Sequence, residues 1–291
     1  MTNEMIIIEK CIEVFKVKKE DIIVEKRLMG GMSNFTYIIE IGSKRYTFRI
    51  PGKNADKFVD RTVEKHNIDL VEDLGLNNKT VYFDIETGYK IAEYIEGKPL
   101  HELDPLLFLD QAAEILHKLH ESKKISDYDY APLKRLKLYE SYLAKYDFNH
   151  SERYLNLKEK FLSYKDKYMD SSKLVLSHGD SQISNFVDTV DGLRLMDWEF
   201  TGNNDPYYDI ACFGNNDFNH ALALLPVYLK KTPTLEDYNR LYFFRAFQTL
   251  QWHNVALYKE FIGLSVDLGV DFMFVAGLYL DKAEKFLNEI K

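Results

Sequence analysis

The nonapeptide Ser177-His178-Gly179-Asp180-Ser181-Gln182-Ile183-Ser184-Asn185 is followed, twelve residues after Asn185, by Asp197-Trp198-Glu199. An aspartate, an amide five residues later and a second aspartate beyond a hairpin form a set suited to phosphoryl transfer. That reaction needs a hydroxyl held in line and negative charge neutralised on the bridging phosphate oxygens. Asp180 would accept the hydroxyl proton, while the hairpin would carry the Asn185 amide and the Asp197 carboxylate to one rim that holds a divalent cation. His178 reads as a brace of the loop. Each of these residues is common in turns when taken singly; their order and the hairpin between them carry the reading.

Elements must position that set. Ile22 to Leu28, Phe35 to Ile41 and Arg45 to Ile50 are rich in Ile, Val, Tyr and Phe, and Gly30-Gly31 and Gly42-Ser43 punctuate them as turns of an antiparallel sheet would. Residues 56–74 place Phe58, Val63, Leu70 and Leu74 at helical spacing ahead of Gly75. Thr80 to Asp84 and Tyr89 to Tyr94 read as two further strands, and Ile95-Glu96-Gly97-Lys98-Pro99 breaks the pattern. The spacing therefore predicts a first lobe over 1–95 and a mainly helical second lobe over 96–291, with a clear helix from Leu106 to His120. Within the second lobe, short strands are expected at Lys173 to Leu176, Asn185 to Val187 and Leu193 to Met196, the last two joined at Asp191-Gly192. The fold class is α+β.

Composition narrows the partners. Hydrophobic residues at 46% and charged residues at 29% describe a chain able to fold around a core. The formal net charge of -8 argues against a nucleic-acid partner, which is held by clustered Lys and Arg. Two cysteines, Cys11 and Cys212, are too few for a disulfide framework, and a cytoplasmic setting is expected. The opening MTNEMIIIEKCIEVF reads as an amphipathic helix and no apolar run approaches the roughly 20 residues of a membrane span. The sequence leaves the oligomeric state open.

Asp180-Ser181-Gln182-Ile183-Ser184-Asn185, Asp197-Trp198-Glu199, and Asp205-Pro206-Tyr207-Tyr208-Asp209-Ile210 resemble the choline/ethanolamine kinases, above all the bacterial choline kinases. Gly30-Gly31-Met32-Ser33-Asn34-Phe35 and Phe48-Arg49-Ile50-Pro51-Gly52 are similar to the nucleotide-binding lobe of that family. The resemblance implies a two-lobed protein-kinase-like fold that binds ATP and Mg2+ and phosphorylates a small hydroxylated acceptor, choline first. It places Asp180 as catalytic base or hydroxyl positioner, Asn185 and Asp197 as magnesium ligands, and Gly30, Gly31, Ser33 and Asn34 at the phosphates. Adjacent glycines let backbone amides approach a phosphate, although a plain hairpin uses them too. Arg49 would grip phosphate and pair with Glu64, and Glu93 to Ile95 would form the connector that reads the adenine edge.

A quaternary ammonium must be held by aromatic faces and distant carboxylates. The resemblance offers Glu199, Tyr208 and Trp252 for this, with Gln182 orienting the loop or the acceptor hydroxyl; core packing is the other reading of Trp252. Two departures bear on the acceptor. Asn216 stands where related choline kinases carry Glu, and Val255 where they carry a second Trp. Each loss lowers affinity for a quaternary ammonium by about 0.5 to 2 kcal/mol, which keeps ethanolamine, another amino alcohol, an aminoglycoside or thiamine open as acceptor. A catalytically silent ATP-binding protein is the non-enzyme alternative. Asp209 is expected to accept backbone amides of the catalytic loop, Asp205 to cap the helix opening at Pro206, and His117 and His120 to be structural or surface residues.

Overall fold

The computed structural model of the chain describes residues 2–28 and 34–291. Gly30, Gly31 and Ser33 therefore lie outside the described residues. The chain divides into two compact units, Met1–Leu103 with Asn185–Phe200, and Asp104–Ser184 with Thr201–Lys291.

In the first unit, helix α1 (Asn3–Phe15) opens on Thr2, whose hydroxyl accepts from the Met5 amide and satisfies one otherwise orphaned donor. Five strands follow: β1 (Ile22–Leu28), β2 (Asn34–Ile41), β3 (Lys44–Pro51), β4 (Thr80–Phe83) and β5 (Lys90–Glu93). They pair antiparallel in the order β1-β2-β3-β5-β4. Along β3, Tyr46, Phe48 and Ile50 share a face by the two-residue period of a strand and join Ile7 and Cys11 of α1, with Ile39 and Ile91, in one buried cluster. Burying a side chain such as Ile7 or Phe48 contributes about 1.5 to 3 kcal/mol. Cys11 is thus a small apolar core residue, and burial pushes its thiol up to about 12.

The same alternation turns Arg49 to the opposite face, toward helix α2 (Arg61–Val71). The helix predicted over 56–74 is shorter than expected. Ala55–Lys57 forms a separate 3-10 turn, and α2 starts only after Asp60, whose carboxylate accepts from the Thr62 and Val63 amides. A second 3-10 turn, Glu72–Leu74, closes on Gly75. The strands Phe186–Thr189 and Gly192–Leu195 form the expected hairpin, and Phe186–Thr189 also pairs with Lys98–Pro99. A Cβ on Gly97 would stand 2.3 Å from the Asp188 carbonyl oxygen, so only glycine lets residues 95–99 lie against this hairpin.

The second unit is built from α3 (Leu109–His120), α4 (Pro132–Ala144), α5 (Glu152–Ser163), α6 (Lys165–Tyr168), α7 (Pro206–Phe213), α8 (Phe218–Leu229), α9 (Leu235–Phe261), α10 (Leu264–Leu268) and α11 (Phe272–Glu289). The helix expected from Leu106 begins at Leu109, because Asp104 caps a 3-10 turn over Pro105–Phe108 first. The expected strand near 173–176 is Val175–Ser177, and it pairs with Gly202–Asn204. Helix α9, 27 residues long, starts on a Thr234/Asp237 capping box and packs against α4, α5, α7, α10 and α11. It is buried nearly all round and carries Arg245, Gln248 and Gln251 among its buried residues. Polar groups so placed need internal partners, and those partners lead to the site.

Candidate active site

Within the first unit, charged side chains converge on Glu64, which is 0% exposed. Arg49 donates to both Glu64 oxygens, Nη1 to Oε1 at 2.5 Å and Nη2 to Oε2 at 2.9 Å, a bidentate pairing. The expected Arg49–Glu64 pair is present. Arg61 Nη1 donates to Glu64 Oε2 at 2.6 Å and to Glu199 Oε2 at 3.1 Å. Asn34 Nδ2 also donates to Glu199 Oε2, at 3.0 Å. Glu199, expected to send its charge toward an acceptor, thus lies among Asn34, Arg49 and Arg61.

Lys90 was not singled out in the sequence, yet it stands directly opposite Arg49 in the β3–β5 ladder, with Nζ 3.6 Å from Glu64 Oε1. Like charges opposite each other in a sheet repel. Burial, then the charge of Arg49, lowers the Lys90 ammonium below its usual range. Two cations held side by side by one carboxylate are an electrostatic fit for polyphosphate.

The hairpin brings the proposed metal ligands together. The Met196 amide donates to the Asn185 carbonyl at 2.8 Å, so Asn185 lies beside the residue that precedes Asp197. Asp197 takes a left-handed backbone, φ +66°, which few residue types tolerate and which aspartate adopts more readily than most. Burial and then the neighbouring Glu199 charge push its carboxyl up to about 7, against the pull of Lys90 and Arg49. A cation beside it would relieve that crowding. Among the described residues no three His, Cys, Asp or Glu side chains gather to hold a metal by themselves. An amide oxygen and a carboxylate, completed by phosphate oxygens and water, are a donor set that fits magnesium.

Of the residues expected to form a connector, Glu93 ends β5 and donates its amide to the Lys79 carbonyl at 2.9 Å, while its carbonyl accepts from Asn78 Nδ2 at 2.9 Å. Ile95 follows two residues on and is half-buried.

In the second unit the loop is held from behind by Asp209 on α7. Its carboxylate accepts the His178 amide at 2.7 Å and the Gly179 amide at 2.9 Å, and its Oδ2 lies 3.0 Å from His120 Nε2. Burial pushes Asp209 up, but His120 and the loop amides outweigh it and hold the carboxyl below its ordinary range. Gly179 has φ +80°, the turn that lets both amides reach one carboxylate. The Asp180 amide donates to His178 Nδ1 at 3.2 Å, the bracing expected of His178. Asp205 caps α7 through the Tyr207 amide at 3.0 Å.

Asp180 is 9% exposed, and its Oδ2 accepts from Gln182 Nε2 at 3.1 Å. Cys212 Sγ lies 3.7 Å from Asp180 Oδ1. Tyr208 is buried, its hydroxyl 2.6 Å from that of Tyr130, which in turn donates to Gln251 Oε1 at 3.1 Å. Trp252 is half-buried on α9, and Asn216 is exposed.

These arrangements define a protein-kinase-like α+β fold: an antiparallel sheet whose Arg49 pairs with a helix glutamate, and a loop and hairpin that carry Asp180, Asn185 and Asp197. A sequence model of the choline/ethanolamine kinase family matches residues 25–249, and the chain belongs to that family. It is 26% identical over 275 residues to protein LicA of Haemophilus influenzae, covering 90% of this chain and 79% of that protein. Its structure is similar to that of choline kinase LicA from Streptococcus pneumoniae, with 27% identity, a TM-score of 0.79 and 98% of each chain covered. A crystal structure of LicA in complex with AMP matches with 25% identity and a TM-score of 0.77 over 100% of both chains. The chain is therefore a kinase. No helix among the described residues is long and apolar enough to cross a membrane.

Proposed function

We propose that this kinase transfers the γ-phosphoryl group of ATP to the hydroxyl of choline, giving phosphocholine and ADP. The choline hydroxyl oxygen forms a bond to the γ-phosphorus as the bond from that phosphorus to the β,γ-bridging oxygen breaks. The hydroxyl proton passes to the Asp180 carboxylate and from there to solvent. Arg49, held by Glu64, and Lys90 balance phosphate charge, and Gly30, Gly31, Ser33 and Asn34 bind the phosphates. Glu93 and Ile95 present backbone to the adenine. Asn185 and Asp197 hold magnesium, which when bound neutralises charge on the transferring phosphates. Tyr208 and Trp252 wall the acceptor. The observation that carries this reading is the ordered set Asp180, Asn185 and Asp197 on a braced loop and hairpin, supported by the choline kinase named among the similar structures. The AMP complex of LicA supports an adenine nucleotide as donor. A reducing cytoplasm, where ATP is made, is the proposed setting, and both cysteines are free and buried.

Mass spectrometry of the products after incubation with ATP, magnesium and choline tests the assignment. A species with the mass of phosphocholine supports it, and its absence alongside unconsumed ATP refutes it. The exposed Asn216 and the apolar Val255, at positions where related choline kinases carry Glu and Trp, favour ethanolamine or another amino alcohol as the second reading.

A further inference from the structure

Arg245 is 2% exposed, and among the described residues no carboxylate lies within ion-pair distance of it. Burying a guanidinium without a carboxylate is unfavourable, so its surroundings should show what the charge is for. Nη2 donates to the Asn215 carbonyl at 3.1 Å and to Asn215 Oδ1 at 2.8 Å, and Nη1 donates to Gln248 Oε1 at 2.7 Å. Asn215 Nδ2 donates to Gln182 Oε1 at 2.9 Å, and Gln182 Nε2 donates to Asp180 Oδ2 at 3.1 Å.

The direction of this chain is fixed at its start. A guanidinium only donates, so Asn215 must turn its oxygen toward Arg245 and its NH2 toward Gln182. Gln182 must then accept with its oxygen and offer its NH2 to Asp180. Either amide, left to itself, could flip. Resting on the proposed role of Asp180, we propose that Arg245 and Asn215 are positioning residues for phosphoryl transfer, acting through Gln182 to hold the Asp180 carboxylate as a hydrogen-bond acceptor in one orientation.

The test is kinetic and uses the full chain. Asn215→Asp keeps a partner for Arg245, as an ion pair, but presents only acceptors to Gln182, whose amide must turn and put its oxygen on Asp180. The expected result is a fall in kcat of about 10- to 100-fold with KM for ATP within twofold of wild type. The acid limb of the kcat profile should rise by about one pH unit, since Asp180 loses a donor to its charged form. Cys212, Tyr208, Tyr279 and His178 also face Asp180, with Arg245 beyond Cys212, and this substitution leaves all of them in place. Gln182→Met, at a half-buried loop position, should give a similar loss, and the double variant no further loss, because both act through one contact. Additive losses, or a wild-type kcat and acid limb in Asn215→Asp, would overturn the relay. Asp180→Ala in the same assay separates the two claims: an inactive Asp180→Ala beside a wild-type Asn215→Asp removes the relay alone, whereas an active Asp180→Ala removes the role of Asp180 and the relay with it.

Discussion

Glu64→Gln keeps the shape of a side chain that is 0% exposed and removes the charge on which Arg49 and Arg61 converge. Burial alone would push this carboxyl up. The charges of Arg49 and Lys90, the hydrogen bond from Arg49 and the charge of Arg61 outweigh it and hold the group at about 2, against an ordinary 4.5. At about 1.4 kcal/mol for each tenfold change in proton affinity, that lowering favours the folded state by about 3 kcal/mol. Because the folded value lies below the unfolded one, the contribution is complete above pH 4.5 and is lost as the pH falls toward 2. The chain has two tryptophans, and Trp198 belongs to the first unit while Trp252 belongs to the second. A Trp252→Phe background therefore leaves buried Trp198 as the fluorescent reporter of the unit that holds Glu64. In urea titrations Glu64→Gln should lower stability by about 3 kcal/mol at pH 7, and the gap should narrow to about 2 kcal/mol at pH 3.5. Taking the difference from wild type cancels carboxylates common to both proteins. A variant as stable as wild type at pH 7, or a gap that does not change with pH, would refute the reasoning.

Three further outcomes are expected. Asp180→Ala should lower kcat by about 10²- to 10⁴-fold while nucleotide affinity, read by fluorescence or calorimetry, stays within a few-fold; turnover comparable to wild type would remove its role as base. Asp197→Asn should abolish magnesium-dependent nucleotide binding, checked by titrating the nucleotide with and without the ion, and an unchanged magnesium dependence counts against it as a ligand. Asp209→Asn replaces an oxygen that accepts a loop amide or faces His120 with an NH2 that can only donate. It should destabilise the second unit by about 2 to 3 kcal/mol in thermal or urea unfolding, and a wild-type midpoint would contradict the brace.

Local patterns made the sheet legible: alternation along Arg45 to Ile50 and the Gly42-Ser43 turn place β2 and β3 to within a residue of their observed bounds. The helix over 56–74 was legible only in part, because the apolar spacing of Phe58 runs through Asp60, where the chain spends a side chain on capping. The Asp180, Asn185 and Asp197 set and the Asp209 brace were visible as ordered motifs close in sequence. Lys90 was not, since its place opposite Arg49 is created by the β3–β5 register across a long stretch of chain. Asn215 and Arg245 were hidden for another reason. Arg245 lies in a run of phenylalanines on α9 that reads as core packing, and only the fold reveals that its charge points along Asn215 and Gln182 to Asp180. A charged residue inside an apolar helix face was the available signal.

The most direct test of the central claim is ADP release by purified protein with ATP and magnesium, with choline, ethanolamine, thiamine and kanamycin offered in parallel. Choline should give the highest kcat/KM, and Asp180→Ala should lose it. ADP release with none of the acceptors, or with kanamycin or thiamine but neither choline nor ethanolamine, would contradict it.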